Sequence, residues 1–412
     1  MTAATSTRCP PGATAIVLGL DTPIGLSIVR ELGRAGVRVI GLARDREAIG
    51  LYSRFVARKL IRERDEDALI AQLAALGAAH PDACLFAIAE SDLLMINRHR
   101  ERLSALRLLI PEQAALDRVL DKRTTLDAAA RIGIDVPRTV VIDDLARAEA
   151  ALTGLRFPVV LKWLDQNRVI KALHAAGLPF HKAEYCLNAD EALAALKRYA
   201  RAGIYPAVQE YAQGVGLGQF ILMREGEAVL TFQHRRVAEW PPEGGVSVVC
   251  EALPDTAHRE LMQRSIDLLR ALDWTGPAMV EYRYDPATGR AVLMEVNGRF
   301  WGSLALAMHC GARFAWGSFA ALGHGLPIEP HARRTDLRAR FAWPELKRLL
   351  RIAFAPHEIR DPFFRASRLR ETWRFIARFV DPRTRYFVWS VSDPMPFFAS
   401  LVLPLLRRLS RR

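Results

Sequence analysis

The sequence has few cysteines and no long apolar run. Its five cysteines, an odd number among 412 residues and without paired spacing, argue against a disulfide framework and against a zinc site. No uninterrupted apolar stretch approaches the roughly 18 residues of a membrane span. The first segment, MTAATSTRCPPGAT, lacks the apolar core of a secretion signal. We therefore expect a cytoplasmic protein with reduced thiols.

Two other signals are weak or missing. Gly19 and Gly25 follow the first apolar run, but their spacing does not give the three-glycine dinucleotide pattern and Pro23 interrupts the turn. A nicotinamide-dependent enzyme is therefore kept only as an alternative. We find no motif that combines aromatic and basic residues in the manner of nucleic-acid-binding proteins, so no nucleic-acid partner is expected.

Positive charge is concentrated near the end of the chain. Residues 331–412 contain 19 Lys and Arg against 7 Asp and Glu, a net charge of +12, whereas the whole chain has +13. The tail combines the run PFFASLVLPLL with Arg407, Arg408, Arg411 and Arg412, a pattern typical of an interfacial anchor on anionic lipid. We expect either peripheral contact with the inner face of a membrane or a C-terminal helix packed on the protein with solvated arginines.

The first hundred residues alternate between strand and helix patterns. The run TAIVLGL is followed by the turn DTPIG, the helical pattern LSIVRELGRAG and a second strand VRVIGLARD. Such alternation predicts a parallel sheet covered by helices, which places the chain in the α/β class. A later strand, ACLFAIAE, ends in Glu90, Ser91 and Asp92, which either line a ligand site at the strand end or cap the next helix.

The segment AVLMEVNGRFWGS carries Glu295, Asn297 and Arg299 at alternate positions of a predicted strand. Alternate residues of a strand share one face, so two oxygen ligands and one guanidinium lie together. A hard cation such as Mg²⁺ binds carboxylate and amide oxygens together with phosphate oxygens, and an arginine offsets the remaining charge. The alternative is a solvated polar strand face.

A second strand brings another carboxylate to this face. The sequence AMVEYRYDPATGRAVLMEVNG predicts an antiparallel hairpin with Glu281 on its first arm. If Asp285 lies opposite Ala291, then Glu281 faces Glu295, whereas a slip of one residue would turn Glu281 into the core. Without a cation the two carboxylates would repel each other.

Glu281, Glu295, Asn297 and Arg299 together resemble the metal-binding signature of the ATP-grasp superfamily, and other segments match in order from about residue 15 to about residue 325. The resemblance implies a Rossmann-like preATP-grasp domain (1–118), a two-lobed ATP-grasp domain of α+β type (119–330) and a basic helical C-terminal extension (331–412). It also implies that ATP is bound with Mg²⁺ or Mn²⁺ and that Glu281, Glu295 and Asn297 are the metal ligands.

The resemblance assigns further residues to the nucleotide. Lys122, after an aspartate, and Lys162, at the end of the buried strand in RFPVVLKW, correspond to the two phosphate-binding lysines. Lys162 also stands out without the resemblance, because an ammonium group at the end of an apolar strand is costly to bury and is seldom placed there for packing. In the segment PAVQEYAQG, Gln209, Glu210, Tyr211 and Ala212 take the place where backbone groups read the edge of adenine.

One segment departs from the family. A glycine-rich loop over the phosphates is expected after Lys162, but the sequence is WLDQNRVIKALHAAGLPFHKAEYC, with Gly177 as its only glycine. A closing lid would therefore need the side chains of Arg168, Lys171 or His181, or would be absent.

Consecutive basic residues suggest an acid-binding site. His234, Arg235 and Arg236 end a predicted strand, and the loop PPEGGVSVV follows. Guanidinium groups and the backbone amides of the Gly244 and Gly245 loop could clamp a carboxylate. This pattern is similar to carboxylate-amine ligase-like ATP-grasp proteins. The alternative is an edge strand protected by charge.

The resemblance implies an ADP-forming ligase that joins a small-molecule carboxylate to an amine, or less readily to a thiol, through an acyl phosphate. Arg299, Arg235 and Arg236 are then the catalytic candidates, and no covalent protein nucleophile is needed. The alternatives are a catalytically weak ATP-binding regulatory protein and a membrane-surface protein. The sequence leaves the substrates and the oligomeric state open.

Overall fold

The computed structural model describes residues 9–163, 166–181, 183–329, 332–359 and 361–410, without the side chains of 166–168 and 404–410. Its first part is a five-stranded parallel sheet with the strand order β3-β2-β1-β4-β5. The strands are β1 (Thr14–Leu18), β2 (Arg38–Ala43), β3 (Val56–Ile61), β4 (Cys84–Ala87) and β5 (Arg107–Leu108). The helices are α1 (Pro23–Arg34), α2 (Glu66–Ala79) and α3 (Glu90–Arg98). The predicted parallel α/β unit is confirmed.

Helix α1 begins inside the segment that was predicted to be a turn. Pro23 is its first residue. Proline fits this position because its fixed φ suits the helix and the first backbone N–H of a helix has no intrahelical partner. The next two helices, α4 (Gln113–Leu120) and α5 (Lys122–Arg131), lead into the second part of the chain.

A four-stranded sheet with the order β6-β9-β7-β8 forms the small lobe. Its strands are β6 (Thr139–Val140), β7 (Val159–Lys162), β8 (Ala183–Cys186) and β9 (Ala207–Glu210), and its helices are α6 (Ala148–Leu152), α7 (Gln166–Ala175) and α8 (Ala189–Ala200). This lobe has a hydrophobic cluster of its own, which includes Leu161, Leu196 and Val208.

The large lobe is a seven-stranded sheet with the order β14-β13-β10-β11-β12-β15-β16. Its first strands are β10 (Val215–Arg224), β11 (Glu227–Trp240), β12 (Val246–Ala252), β13 (Gly276–Tyr284) and β14 (Ala291–Asn297). The helices are α9 (Arg259–Ala271), α10 (Leu304–His309) and α11 (Phe314–Gly317), with a π-helix over Ser318–Gly323. Strands β10 and β11 are joined at Glu225 and Gly226, which both have positive φ, as a tight hairpin turn requires.

The C-terminal extension contributes to this large sheet. Besides the helices α12 (Ala342–Phe354), α13 (Arg368–Val380) and α14 (Met395–Ser410), it supplies the strands β15 (Arg338–Arg340) and β16 (Thr384–Tyr386). Strand β15 pairs with β12, so the extension is partly β structure rather than only helical. In the described chain no helix is both long enough and apolar enough to cross a membrane. The division at residues 118 and 330 stays a prediction.

The first sheet and the large lobe share one hydrophobic core. Leu26 of α1, Phe220 of β10 and Phe319 of the π-helix belong to the same cluster of buried side chains. A buried ion pair connects the C-terminal segment to α1 beside the first sheet. In this pair Arg30 Nε lies 2.9 Å from Asp393 Oδ2. Asp393 also accepts hydrogen bonds from the hydroxyl of Ser53 and the backbone N–H of Arg54.

Replacing Asp393 with Ala should release the start of α14 from the first sheet. Removing one partner of a buried ion pair costs about 3–5 kcal/mol because the other charge is left uncompensated. We therefore expect amide hydrogen exchange in α14 and at Arg54 to accelerate by about 100-fold or more. The exposed neighbour Ser392→Ala is the control and should change exchange little. Unchanged protection in the Asp393 variant would contradict this role.

Candidate functional site

The carboxylates of Glu281 and Glu295 lie opposite each other on the hairpin of β13 and β14. Their predicted pairing is confirmed. The predicted pairing of Asp285 with Ala291 is wrong, because Tyr284 occupies that position. A bulge in β14 adds one residue between the loop and the acidic pair, and this shift restores the register that brings the carboxylates together.

These carboxylates line a cavity of about 970 Å³ between the two lobes. Most residues that the sequence suggested for the site line the same cavity. They are Lys122, Lys162, Gln209, Glu210, Tyr211, Ala212, Arg236, Gly244, Gly245, Glu281, Glu295, Asn297 and Arg299. The volume is at the upper end of the range found for small-molecule sites, roughly 300–1,000 Å³.

Arg235, a predicted catalytic residue, does not line this cavity in the described structure. It pairs with Glu251 across β11 and β12, with 2.8 Å between Nη2 and Oε2. Its neighbour Arg236 lines the cavity. The two arginines diverge because successive side chains of a strand point to opposite faces of the sheet.

A chain of hydrogen bonds continues from the metal-ligand candidates to the first sheet. Asn297 Nδ2 donates to Glu295 Oε1 at 3.0 Å, and Arg299 Nη2 donates to Asn297 Oδ1 at 3.2 Å. Arg299 Nε donates to Glu90 Oε1 at 3.0 Å. Glu90 lies at the start of α3, where the sequence indicated polar groups at a strand end, so the first sheet orients Arg299.

Two arginines surround the acidic pair from the other side. Arg236 donates to Glu281 and lies 3.4 Å from Glu239, which is also 3.4 Å from Arg283. Burial and the carboxylate of Glu295 raise the pKa of Glu281, against the opposing charge of Arg236. Burial would lower the pKa of Arg236, but the carboxylates around it outweigh burial and raise it.

Arg283 and Glu239 were not singled out in the sequence analysis. Arg283 is two residues from Glu281 on β13, so the alternation that located Glu281 also indicates that Arg283 shares its face. Glu239 could not be found in this way, because register shifts interrupt the pairing of β11 with β12 near residue 238.

Lys162 is held at the cavity wall by a side chain of β9. Its Nζ donates to Gln209 Oε1 at 2.7 Å, and Gln209 Nε2 donates to Thr139 Oγ1 at 3.0 Å. Burial, helped by the charge of Lys122, lowers the pKa of Lys162 to about 8, although Glu295 opposes the shift. The side-chain amide of Gln209 therefore positions the ammonium group of Lys162.

The end of β9 offers backbone groups to a ligand. The N–H of Glu210 donates to the carbonyl of Arg138, and the N–H of Tyr211 donates to the carbonyl of Pro158. Among the described residues, the N–H of Ala212 has no such acceptor. A free backbone donor at this position is one of the two groups that were predicted to bind the edge of adenine, and that role stays a prediction.

The side chain of Glu210 is already engaged within the small lobe. Its carboxylate accepts hydrogen bonds from the backbone N–H and the guanidinium of Arg156 at 3.0 Å. Burial would raise the pKa of Glu210, but these hydrogen bonds outweigh it and lower the pKa. Glu210 therefore contributes its backbone to the cavity, while its charge is neutralised by Arg156.

Helix α7 follows Lys162 where a glycine-rich loop was expected. Residues 164 and 165 and the side chain of Arg168 lie outside the described part of the chain. Lys171 and His181, the other lid candidates, do not line the cavity in the described structure.

The loop after β11 forms another wall and is held from two sides. A Cβ atom at Gly245 would lie 1.9 Å from the carbonyl oxygen of Trp240, so this position requires glycine. Tyr185 of the small lobe donates to the carbonyl of Glu243 at 2.6 Å. From the extension, the Arg351 guanidinium lies 4.7 Å from the centre of the Trp240 ring. The small lobe and the C-terminal extension thus fix this loop together.

The donor set at the acidic pair fits Mg²⁺. Glu281 and Glu295 supply carboxylate oxygens and Asn297 an amide oxygen, which are the hard ligands that Mg²⁺ and Mn²⁺ prefer. Among the described residues no group of three or more His, Cys, Asp or Glu side chains forms a complete metal cage. Mg²⁺ does not require such a cage, because it usually keeps waters and takes phosphate oxygens as ligands.

Comparisons with known proteins give one family match over part of the chain and several solved structures with the same fold. Residues 246–315 match the family model "Carbamoyl-phosphate synthase L chain, ATP binding domain". This segment includes Glu281, Glu295, Asn297 and Arg299. No curated protein matches the chain in sequence.

Solved structures with the same fold have low sequence identity. The biotin carboxylase domain of 2-oxoglutarate carboxylase from Hydrogenobacter thermophilus, a complex with MgADP and bicarbonate, has a TM-score of 0.60 and 12% identity, covering 78% of this chain and 73% of its own. L-amino acid ligase from Bacillus licheniformis has a TM-score of 0.57 and 16% identity, and the match covers 79% of this chain and 76% of the ligase. N5-carboxyaminoimidazole synthetase from Staphylococcus aureus has a TM-score of 0.60 and 13% identity, and the match covers 85% of this chain and 88% of the synthetase. The resemblance to the ATP-grasp superfamily is therefore confirmed at the level of the fold.

The pKa of Lys162 predicts how nucleotide affinity depends on pH. A phosphate group favours the charged ammonium, so binding raises the pKa of Lys162 above its value of about 8 in the free protein. Affinity for Mg-ATP should then be highest below about pH 8 and fall as the pH rises through it. Lys162→Arg keeps its charge and should flatten this profile between about pH 7 and 9.5. Calorimetric titration measures the Mg-ATP affinity of both proteins across this pH range. Equal slopes of affinity against pH in the two proteins would contradict the prediction.

Proposed function

We propose that this protein is an ATP-dependent, ADP-forming ligase that joins a carboxylate to an amine through an acyl phosphate. The observation that carries the proposal is the convergence of Glu281, Glu295 and Asn297 with Lys162 in one cavity between two lobes. Neighbouring carboxylates favour divalent cations, and the lysine suits phosphate. The cavity is large enough for a nucleotide and a small second substrate.

In this proposal ATP lies between the lobes. The backbone at Glu210 and Ala212 reads adenine, and Lys122 and Lys162 bind phosphate oxygens. Glu281, Glu295 and Asn297 would hold Mg²⁺ or Mn²⁺, which when bound offsets the negative charge of the terminal phosphates.

The acid substrate lies near Arg236 and the loop of Gly244 and Gly245. One of its carboxylate oxygens attacks the γ-phosphorus, the bond from this phosphorus to the β,γ-bridging oxygen breaks, and ADP leaves. Arg299, oriented by Glu90, offsets charge on the transferred group. The amine nitrogen then attacks the acyl carbon, phosphate leaves with its oxygen, and the nitrogen gives up a proton. A thiol could replace the amine in the same sequence of steps.

Bicarbonate is a second candidate for the acid. The biotin carboxylase domain similar to this chain is described with bicarbonate and MgADP. If bicarbonate were the acid, phosphorylation would give a carboxyphosphate and the amine would be carboxylated. The two proposals share the first step and differ only in the acid.

A regulatory role and a membrane contact are two alternatives to the ligase. A catalytically weak ATP-binding regulatory protein fits the helix found in place of a glycine-rich lid. The tail containing Arg407 and Arg408 was predicted to contact anionic membrane, but these side chains and residues 411–412 lie outside the described part of the chain.

A screen of phosphate release tests the proposed reaction. Carboxylates, including bicarbonate, are crossed with amines in the presence of Mg-ATP, and Glu295→Gln serves as the blank. We expect release with one combination to fall by at least ~100-fold in the variant, because loss of one metal-binding carboxylate removes stabilisation of the transferring phosphoryl group. Mg-ATP binding by the wild type without release for any combination would support the regulatory alternative.

The two neighbouring arginines provide a matched test of the acid site. Arg236→Ala removes the guanidinium group that is proposed to bind the acid, so we expect kcat/KM for the acid to fall by at least ~10-fold. Arg235→Ala removes the same charge outside the cavity and should change kcat/KM for the acid by less than about 2-fold. Melting temperatures check that both variants fold. Equal losses of kcat/KM would argue against an acid site at Arg236.

A further inference from the structure

Helices α12 and α13 pack against each other through ion pairs between their facing sides. Arg378 donates to Glu345 at 2.5 Å, and Arg348 donates to Glu371 at 2.5 Å. Glu345, Arg348 and Arg378 are buried, and the fully buried Arg340 also donates to Glu345 at 2.6 Å. Ion pairs thus connect the two helices to each other and to the sheet.

The opposite face of α13 is apolar and exposed. Leu369, Trp373, Ile376 and Val380 are 86%, 70%, 54% and 82% exposed. Their spacing of four, three and four residues places them along one side of the helix. We call these four residues the apolar stripe. An amphipathic helix on a protein in water normally buries such a stripe, so α13 has the reverse orientation.

Helix α12 repeats this arrangement beside it. Trp343, Leu350 and Phe354 are exposed and are separated by seven and four residues. Lys347 takes the intervening place, with its Nζ 5.6 Å from the centre of the Trp343 ring. Two adjacent helices therefore present apolar side chains to the outside, together with two tryptophans.

Positive charge borders the apolar residues. Arg368 and Arg370 of α13 are exposed and have no ion-pair partner within the described ranges. Acidic side chains of the two helices do not offset them, because Glu345 and Glu371 are engaged in the ion pairs between the helices. The surroundings of the stripe are therefore apolar and cationic.

We propose that the exposed faces of α12 and α13 form a docking surface for an anionic lipid bilayer, with both helices lying in the plane of the interface. Apolar side chains enter the boundary of headgroups and acyl chains, tryptophan is favoured at that depth, and arginine and lysine bind anionic headgroups. At 13 residues each, the helices are about 20 Å long, which suits lying on a membrane rather than spanning it.

A lipid surface fits the charge better than a second copy of this chain. Two copies meeting at this face would bring Arg368, Arg370 and Lys347 toward the same groups of the partner, and like charges disfavour such contacts. The net charge of +12 over residues 331–412 favours an anionic partner. The surface is separate from the cavity, so it does not depend on the proposed reaction.

Co-sedimentation of the full-length protein with vesicles tests this surface. We expect binding to vesicles of phosphatidylcholine and phosphatidylglycerol, weak binding to phosphatidylcholine alone, and loss of binding at about 0.5 M salt. The double variant Trp373→Glu, Ile376→Glu should bind at least ~10-fold more weakly, because both residues would then repel the surface instead of entering it. Leu369→Glu, at a first helical turn that favours acidic residues, is a second and milder variant.

Two control proteins make the result specific. Ile61→Glu, Leu187→Glu changes two exposed apolar residues elsewhere by the same charge and should bind vesicles within about 2-fold of the wild type. Replacing the four arginines of the tail by Gln tests the C-terminal end of the chain separately. All variants should keep their melting temperature and their affinity for Mg-ATP.

Three results would overturn the proposal. The first is absence of binding by the wild type to anionic vesicles. The second is a loss of binding confined to the tail variant, which would assign the membrane contact to the C-terminal end. The third is a dimer in light scattering without lipid that the Trp373, Ile376 variant dissociates, which would assign the face to a second copy.

Discussion

Repulsion between two carboxylates is the constraint around which this site is built. Glu281 and Glu295 meet across a hairpin, where burial and proximity disfavour two negative charges without cations. The protein surrounds them with positive groups from several elements: Arg236 from β11, Arg283 from β13 and Lys162 from the small lobe. The same groups line the cavity, whose balance of positive and negative charge supports the proposed binding of a divalent cation together with a polyanion.

This balance requires both lobes and the first sheet to have fixed relative positions. Arg299 of the large lobe donates to Glu90 at the start of α3, and the large lobe and the first sheet share a hydrophobic core. The small lobe has a separate core but contacts the large lobe through Tyr185, whose hydroxyl donates to the loop after β11. The C-terminal extension holds the same loop through Arg351. Each unit therefore supports one wall of the cavity, and the chemistry depends on their assembly rather than on any one motif.

Local periodicity explains which parts of the site could be predicted. Glu295 and Asn297 follow the period of two of β14, and turn residues between the arms indicated that Glu281 would face Glu295. The placement of Arg299 on the same strand was wrong, because β14 ends at Asn297. The bulge at Met294 could not be predicted, because an extra residue in a strand has no distinct mark in the sequence. The choice between Arg235 and Arg236 needed the register of β11, and the contact of Lys162 with Gln209 needed the pairing of β7 with β9. Contacts across strands thus became visible only in three dimensions.

The orientation of α13 shows a different limit of sequence patterns. Its period identifies an amphipathic helix, but it does not say which face meets the protein, and burial of the apolar face is the usual outcome. Here Glu345 and Arg348 of α12 offer buried charged partners to the polar face of α13, so Arg378 turns inward and Trp373 outward. Such an arrangement exposes apolar surface that water disfavours, while the buried ion pairs give little net stability. Neither the exposed apolar surface nor the buried ion pairs favour this orientation of α13 by themselves. We therefore attribute the orientation to a contact that covers the exposed face.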